Sequence, residues 1–261
     1  MFKISKKTLG SQIEPQMKKL LKKILGPAFP SVKRRLDFLM RKSKGSFFAI
    51  NSIDKKLEKF VNYDDGFYVE LGANDGITQS NSFYFEKKKN WKGVLIEPSP
   101  NNYLKCRQNR DPSNKFFCNA CVSFDFKEKY VEMIYANLMT VSHNLEKDID
   151  SESSFLKRSL KYLDKYEDHF TFGAKAKTLT DLLIEAGSPN IIDFLSLDVE
   201  GSEMEVLKGL DFKKFQFHFL LIESRSIDIL KDFLLMHGYV LEKKFSQHDF
   251  LFKNNNLLFA K

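Results

Sequence analysis

Cysteine is scarce in this sequence, which holds only Cys106, Cys118 and Cys121 among its 261 residues. An odd and sparse set of this kind excludes a disulfide framework and predicts a reducing compartment. Cys118 and Cys121 have the C-x-x-C spacing of half a zinc knuckle or of a redox pair, but no second C-x-x-C and no nearby histidine accompanies them. We therefore interpret both as core residues of a strand, because a free cysteine packs as a small hydrophobic side chain.

Long apolar runs are missing as well. No segment approaches the roughly 18 consecutive apolar residues that a membrane-spanning helix needs. The first residues, MFKISKKTLGSQIEPQ, lack the apolar core of a signal peptide, so we expect no secretion and a cytoplasmic location. Internal repeats and low-complexity runs are absent, and a hydrophobic content of 43% with 14% aromatic residues excludes a wholly disordered chain.

Positive charge is concentrated at one end of the chain. Residues 1–44 hold 13 Lys or Arg and 2 acidic residues, whereas the net charge of the whole chain is +8. The remainder is therefore mildly acidic, which argues against nucleic acid as a partner. We expect a basic arm, residues 1–46, in front of a single domain of residues 47–261.

The arm contains an amphipathic segment, QMKKLLKKIL. Between residues 17 and 25, apolar side chains recur at helical spacing, lysines fill the opposite face, and Gly26-Pro27 ends the pattern. Such a helix either adsorbs to the inner face of an anionic membrane or packs on the domain or a partner chain with its lysines in water. Both interpretations remain open, and nothing in the sequence specifies the oligomeric state.

Apolar strands alternate with amphipathic helices through the rest of the chain. The predicted strands are GFYVELGA, KGVLIEP, KFFCNACVS, IDFLSLDV and FHFLLIES, followed by a hairpin of YVLEKKF and DFLFKN. This alternation predicts an α/β fold, in which a mostly parallel sheet has helices on both faces and the C-terminal hairpin adds an antiparallel edge. Residues 125–176 lack this regularity, and we expect them to form a variable insert that recognises the substrate.

Acidic residues lie at or near the carboxyl ends of four predicted strands, at Glu70, Glu97, Asp198 and Glu223. Ligands of parallel sheets bind beyond these ends, where the strand order reverses. Clustered carboxylates repel one another, so a group of four indicates a ligand with hydroxyl, amine or cationic groups.

The turn after the first of these strands narrows the choice of ligand. Its G-x-x-x-G pattern, Gly72 to Gly76, is neither the G-x-G-x-x-G of dinucleotide-binding proteins nor a Walker sequence. An acid that closes the second strand, as Glu97 does, typically binds the two hydroxyls of an adenosine ribose. Asp75 in the turn and Glu70 before it suit a cationic ligand better than a pyrophosphate. S-adenosylmethionine (SAM) combines a ribose with an ammonium and a sulfonium.

Several segments together resemble the FkbM family of SAM-dependent methyltransferases. They are YVELGANDGITQSNSFYFE, WKGVLIEPSPNNYLK, CNACVS, TLTDLL, IDFLSLDVEGSEMEVLKGLDF and FLLIES, which run from Tyr68 to Ser224 in the order and spacing of the family. The basic arm and residues 125–176 are not clearly covered. The resemblance implies a Rossmann-like class I methyltransferase fold with a seven-stranded sheet, and SAM as the cofactor, with S-adenosylhomocysteine (SAH) as the product.

The resemblance also implies roles for individual residues. The first strand-end acid and the glycine turn would contact the methionine part of SAM, the second acid would hold the ribose, and Asn119–Ser123 would border the adenine. Asp198 would close the site from the fourth strand. The cofactor-binding residues implied in this way are Glu70, Gly72, Ala73, Asn74, Asp75, Gly76, Asn81, Glu97, Pro98, Asn119, Ala120 and Asp198.

Methyl transfer to a hydroxyl needs a group that removes the proton. The acids expected in the cleft, Asp198, Glu200 and Glu223, are candidates for this base, together with His143 of the insert. Each of these residues could instead have a purely structural role. Glu200 could cap a helix, and Glu223 could form an ion pair with Arg225. The three acids could also bind a divalent cation, although we do not favour a metal site.

Members of this family mostly methylate hydroxyls, often on sugars of polysaccharides, glycolipids or natural products. The resemblance therefore implies a SAM-dependent O-methyltransferase that acts on a sugar of a surface glycan or of a related metabolite. Two alternatives remain, an RNA ribose 2′-O-methyltransferase and a scaffold that has the fold but no activity. The acidic domain and the lack of a recognisable RNA-binding module argue against the RNA alternative.

Overall fold

The computed structural model describes residues 47–143, 145, 157, 159, 163 and 167–257. The described strands are β1 (Phe67–Leu71), β2 (Lys92–Ile96), β3 (Lys115–Phe117), β4 (Ala120–Cys121), β5 (Tyr130–Tyr135), β6 (Val141–Ser142), β7 (Phe170–Lys177), β8 (Ile191–Leu197), β9 (Gln216–Glu223), β10 (Tyr239–Lys244) and β11 (Asp249–Asn254). The described α-helices are α1 (Ile53–Leu57), α2 (Phe83–Lys89), α3 (Pro100–Asn109), α4 (Leu179–Ala186), α5 (Glu203–Leu207) and α6 (Ile227–Met236). Short 3₁₀ helices occupy Ile50–Ser52 and Asn137–Met139.

Seven strands form the main sheet, in the order β10-β11-β9-β8-β1-β2-β3. β1 pairs in parallel with β2 on one side and with β8 on the other, whereas β11 runs antiparallel to both β9 and β10. The strand order therefore reverses between β1 and β8. This topology confirms the predicted Rossmann-like α/β fold, with its mostly parallel seven-stranded sheet and antiparallel C-terminal hairpin.

Continuous apolar burial explains why the central strands pair in parallel. All residues of β1, β2 and β8 except the first of each strand are buried. A strand covered on both faces has a nearly continuous apolar run in place of an alternating pattern. Val69, Val94 and Leu195 are fully buried in these strands. The packed strands hold their carboxyl ends, where the acids lie, in a fixed register.

A second sheet, in the order β4-β7-β5-β6, accounts for much of the segment that the sequence left irregular. β5 and β7 pair antiparallel along their length, from Tyr130 opposite Lys175 to Tyr135 opposite Phe170. The expectation of one strand over KFFCNACVS is wrong, because β3 pairs with β2 in the main sheet whereas β4 pairs with β7 in the second. Cys121 is buried in β4, but Cys118 lies between the two strands and is only partly buried.

The basic arm predicted from the sequence lies outside the described residues, as does its amphipathic segment 17–25. Its helix, its boundary with the domain of residues 47–261 and its membrane contact therefore remain predictions. Within the described part of the chain, no helix is both long enough and apolar enough to cross a membrane.

Candidate active site

A cavity of about 280 Å³ opens at the carboxyl ends of the central strands, where the strand order reverses. Ten residues that the sequence assigned to a site line it: Glu70, Gly72, Ala73, Asn74, Asn81, Glu97, Pro98, Asp198, Glu200 and Glu223. A smaller cavity of about 40 Å³ is lined by Asn119 and Ala120 and shares Gly72 and Pro98 with the larger one. The four strand-end acids thus line one cavity, as the predicted sheet required.

Gly72 joins β1 to the following turn in a left-handed conformation, with φ of +75°. A Cβ at this position would overlap the carbonyl oxygen of Asp198. Glycine therefore lets the ends of β1 and β8 approach each other directly. Asn74, which is also left-handed, donates its backbone N–H to Glu97 (N···Oε2, 2.9 Å), so the turn is tied to the end of β2 as well.

Asp75 and Gly76 shape this turn from behind and do not line either cavity. Asp75 Oδ1 accepts hydrogen bonds from the backbone N–H groups of Ile77 (2.9 Å) and Thr78 (2.7 Å). Gly76 is left-handed, and a Cβ there would lie 2.8 Å from Cγ of Arg110. The structure thus accounts for both residues by the geometry of the turn, without a contact to a ligand.

Arg110, which the sequence did not single out, is 3% exposed at the end of α3. Its Nε donates to Glu86 (2.6 Å), and its Nη1 donates to Glu70 (3.3 Å) and to the carbonyl of Gly76 (2.9 Å). Further hydrogen bonds join it to the hydroxyls of Tyr68, Ser80 and Ser82. No spacing pattern marks such a residue, because its partners are up to 42 positions away in the sequence.

Glu70 is consequently a paired carboxylate. Besides the bond from Arg110, its oxygens accept hydrogen bonds from the hydroxyls of Ser80 (2.9 Å) and Ser82 (2.6 Å) and from the backbone N–H of Asn81 (3.1 Å). These bonds fix the segment that leads from the glycine turn into α2. Arg110 therefore supplies the positive charge that the sequence led us to expect from a ligand.

Burial raises the pKa of Glu97 to about 7, although hydrogen bonds from two backbone N–H groups oppose this shift. The donors are Ser99 (N···Oε1, 2.9 Å) and Asn74 (N···Oε2, 2.9 Å). Each carboxylate oxygen keeps a second lone pair that a hydroxyl could use. Glu97 thus combines a fixed orientation with acceptor capacity at the cavity.

Asp198 and Glu223 lie at the ends of the neighbouring strands β8 and β9, and both line the larger cavity. Burial, followed by the charge of Glu223, raises the pKa of Asp198 well above its ordinary value. The same two causes raise the pKa of Glu200 to about 8, and Arg225, 3.6 Å away, opposes that shift. Among the residues described, no group of three or more His, Cys, Asp or Glu has the arrangement of a metal site.

The loop after β8 holds two consecutive left-handed residues, Glu200 (φ +57°) and Gly201 (φ +103°). Glu203, the first residue of α5, accepts hydrogen bonds from the backbone N–H groups of Val199 (3.0 Å) and Gly201 (3.1 Å). Glu203 therefore fixes the loop at the start of this helix, the function that the sequence offered as an alternative for Glu200. Glu200 pairs with Arg225 at the cavity instead.

Asn81 presents an unsatisfied hydrogen-bond acceptor at the cavity. Its Nδ2 donates to Oγ of Ser196 (3.0 Å), which fixes the orientation of the amide. Its Oδ1 is buried and has no hydrogen-bond partner in the described structure. Because buried polar atoms without partners are rare, this oxygen indicates a donor on the ligand, such as an ammonium group.

His143 is exposed and lines neither cavity, and its backbone N–H donates to the carbonyl of Glu132 (2.7 Å). The insert instead contributes Met133 and residues 137–140 to the larger cavity. These positions could not be predicted, because the insert lacks a regular hydrophobic pattern.

Comparison with known proteins places the chain in a family. The family model described as the methyltransferase FkbM domain matches residues 70–250. No curated protein matches the chain. Similar solved structures include a methyltransferase FkbM from Methylobacillus flagellatus KT, with 17% identity, a TM-score of 0.42, and coverage of 73% of this chain and 44% of that chain.

Two further solved structures are similar over more of their own length. TrmK from M. capricolum, in complex with SAH, has 10% identity and a TM-score of 0.40, covering 80% of this chain and 70% of that chain. A SAM-dependent methyltransferase from Aquifex aeolicus has 12% identity and a TM-score of 0.37, and the match covers 90% of this chain and 96% of that chain. At these identities and TM-scores, neither structure supports an argument about function.

Proposed function

Because the chain belongs to the FkbM family of SAM-dependent methyltransferases, we propose that it methylates a hydroxyl of a sugar in a surface polysaccharide, a glycolipid or a related metabolite. SAM is the cofactor, and SAH is the product. The observation that carries the choice of a hydroxyl is the position of Asp198 beside Glu223 at the larger cavity, since an ionised carboxyl there can take up a proton.

The described residues fit the parts of SAM. Asn81 Oδ1 offers an acceptor for the ammonium group, and Glu97 offers its remaining lone pairs to the ribose hydroxyls. The smaller cavity beside Gly72 includes Asn119 and Ala120 and suits the adenine. Glu70 contributes indirectly to binding the methionine part of SAM, because its carboxylate accepts a hydrogen bond from the backbone N–H of Asn81 and so fixes that residue.

When bound, SAM would supply a methyl carbon bonded to a positively charged sulfur, so that in-line attack by an oxygen would form the O–C bond and leave the C–S electron pair on sulfur. The chain must hold the acceptor oxygen in line and receive its proton. We assign the proton to the ionised carboxyl of Asp198, whose pKa is raised by burial and by the neighbouring charge of Glu223. Positioning supplies much of the acceleration, and a base in place adds roughly 10²–10⁴-fold.

The charge of the cavity supports a neutral acceptor. Its described lining residues include the acids Glu97, Asp198, Glu200 and Glu223, and only one Lys or Arg, Arg225. The cavity therefore offers a phosphodiester a single cation, whereas its carboxyl groups can exchange hydrogen bonds with neutral hydroxyls whether they are ionised or protonated. This distribution favours a sugar over the RNA alternative, and no feature of the described residues favours a scaffold without activity.

The basic arm supports a further part of the proposal, in which the enzyme works in the cytoplasm at the inner face of the membrane. The 13 Lys and Arg of residues 1–44 suit an anionic lipid surface. Lipid-linked sugar precursors would be within reach of an enzyme held there.

Transfer of isotopically labelled methyl groups from SAM into fractionated cell extracts tests the proposal. We expect label in the glycan fraction, background levels in nucleic acid and protein, and a rate lower by roughly 10²–10⁴-fold with Asp198→Asn. Glu132→Gln, which changes an exposed acid outside the cavity, is the matched control. Label in RNA alone would overturn the sugar assignment, and label in no fraction would overturn methyl transfer.

A further inference from the structure

The turn of residues 137–140 leaves β5 in the second sheet and reaches the larger cavity. It begins with Asn137 in a left-handed conformation (φ +55°), which asparagine adopts more readily than most residues. Thr140 closes it, since its Oγ accepts from the N–H of Ala136 (3.2 Å) and donates to the carbonyl of Asn137 (2.9 Å). The turn therefore has a defined shape, with Leu138 and Met139 at the cavity.

Glu167 fixes this turn although it is 30 positions away in the sequence. Its Oε2 accepts from Nδ2 of Asn137 (2.8 Å), and its Oε1 accepts from the hydroxyl of Tyr135 (3.1 Å). The ring of Tyr135 is buried and stacks on Phe170 of β7, with ring centroids 4.8 Å apart. Hydrogen bonds to a charged carboxylate are stronger than neutral ones, so Glu167 binds the turn firmly to its sheet.

The turn lies where the acceptor must bind. It does not line the smaller cavity assigned to adenine, and the ribose and ammonium groups are assigned to Glu97 and Asn81. It shares the larger cavity with Asp198 and Glu223, beside which the acceptor oxygen has to lie during transfer. The acceptor therefore meets acids on one part of its surface and aliphatic side chains on another, a combination typical of sites that orient small polar molecules.

We propose that the turn of residues 137–140 selects and orients the methyl acceptor, and that Glu167 is the positioning residue that holds the turn. Glu167 does not line the cavity and acts through Asn137. The inference rests on the proposed methyl transfer, but it holds for a sugar or for any other acceptor. Loss of Glu167 weakens acceptor binding and leaves cofactor binding intact.

Glu167→Gln tests this role, because it removes the negative charge and leaves one acceptor oxygen for the two donors, Asn137 Nδ2 and the Tyr135 hydroxyl. Methyl transfer is measured into the extract fraction that the wild-type chain labels most strongly, against the concentration of that fraction and against SAM. In this variant, we expect the concentration of acceptor fraction that gives half the maximal rate to rise about tenfold. The kcat and the KM for SAM should stay unchanged. Glu132→Gln, an exposed acid on β5, is the matched control and leaves both values unchanged.

Leu138→Trp, which adds bulk at the cavity, provides an independent variant. It should suppress transfer while the affinity for SAH, measured by calorimetry, stays at the wild-type value. A loss of SAH affinity that matches the loss of acceptor affinity in either variant would overturn the inference, since the turn would then serve the cofactor. Unchanged acceptor saturation in Glu167→Gln would also overturn it. Absence of labelling by the wild-type chain would instead overturn the methyl transfer on which the inference rests.

Discussion

Asp198 and Glu223 lie at the carboxyl ends of the neighbouring strands β8 and β9 and line the same cavity, although both residues are acids. Burial, followed by the negative charge of Glu223, raises the pKa of Asp198 well above its ordinary value. Proton uptake by Asp198 therefore depends on its neighbour, and removing the charge of Glu223 should change the pH at which Asp198 ionises.

The rate of methyl transfer should rise with pH through the pKa of Asp198, because only an ionised carboxyl can receive the proton of the acceptor. Glu223→Gln removes the charge that, after burial, contributes most to the raised pKa of Asp198. The rising limb of the kcat/KM profile should therefore move to lower pH in this variant. Methyl transfer measured against pH in wild type, Glu223→Gln and Glu132→Gln checks this, and an unmoved limb would contradict the effect of Glu223 on Asp198.

Glu97→Ala should weaken SAH binding by roughly 10- to 150-fold in a protein that still folds, since loss of a charged hydrogen-bond partner costs about 1.5–3 kcal/mol. Because burial holds the pKa of Glu97 at about 7, wild-type affinity should increase as pH rises through that value and the carboxyl ionises. The variant should lack this increase. Calorimetric titration at several pH values measures both effects, and equal affinities at every pH would reject the ribose assignment.

Asn81→Ala should weaken SAH binding by roughly tenfold and leave binding of 5′-methylthioadenosine unchanged, because the latter lacks the amino acid that carries the ammonium group. Ser196→Ala should have a smaller effect in the same direction, since Ser196 only orients the amide of Asn81. Titration of each protein with both ligands gives the comparison. Equal losses for the two ligands would show that Asn81 does not bind the ammonium group.

Arg110→Met should lower the free energy of unfolding by about 3–5 kcal/mol, since it leaves Glu70 and Glu86 buried without their cation. Arg107→Met, on the exposed side of the same helix, is the matched control and should change stability by about 0.5 kcal/mol or less. Urea denaturation of the three proteins checks this. Similar midpoints for the two variants would mean that the buried network adds little to stability.

Deletion of residues 1–44 should abolish binding to anionic vesicles and leave SAH affinity unchanged, because the deletion removes 13 Lys or Arg. Cosedimentation with phosphatidylserine-containing vesicles, compared with pure phosphatidylcholine, measures the effect. Replacing Lys18, Lys19, Lys22 and Lys23 by Gln keeps the apolar face and isolates the contribution of charge. Undiminished vesicle binding after the deletion would reject membrane contact through the arm.

The sheet and the meeting of its acids could be predicted because they follow from local patterns. Runs of mainly apolar residues identify buried parallel strands, and a parallel sheet brings the carboxyl ends of its strands to one edge. The partners of these acids could not be predicted in the same way. Glu70 meets Arg110 across 40 positions of sequence, and such a contact exists only after α3 has packed beside the turn.

The second sheet could not be predicted, because the sequence of its strands does not show which of their residues are buried. β5 is buried at alternate positions, Val131, Met133 and Tyr135. However, Tyr130 and Ile134, on the opposite face, are apolar too, so the strand shows no alternation of apolar and polar residues. The turn that follows β5, and Glu167 that holds it, were missed for the same reason.

Arg110 also determines how this site could be moved into another protein. Glu70, the glycine turn and the serines after it form one continuous segment that could be grafted into another protein. Grafted alone, this segment would bring Glu70 into a new core without the guanidinium that neutralises it. The smallest portable unit is therefore discontinuous: it consists of β1, the turn, the start of α2 and the last turn of α3.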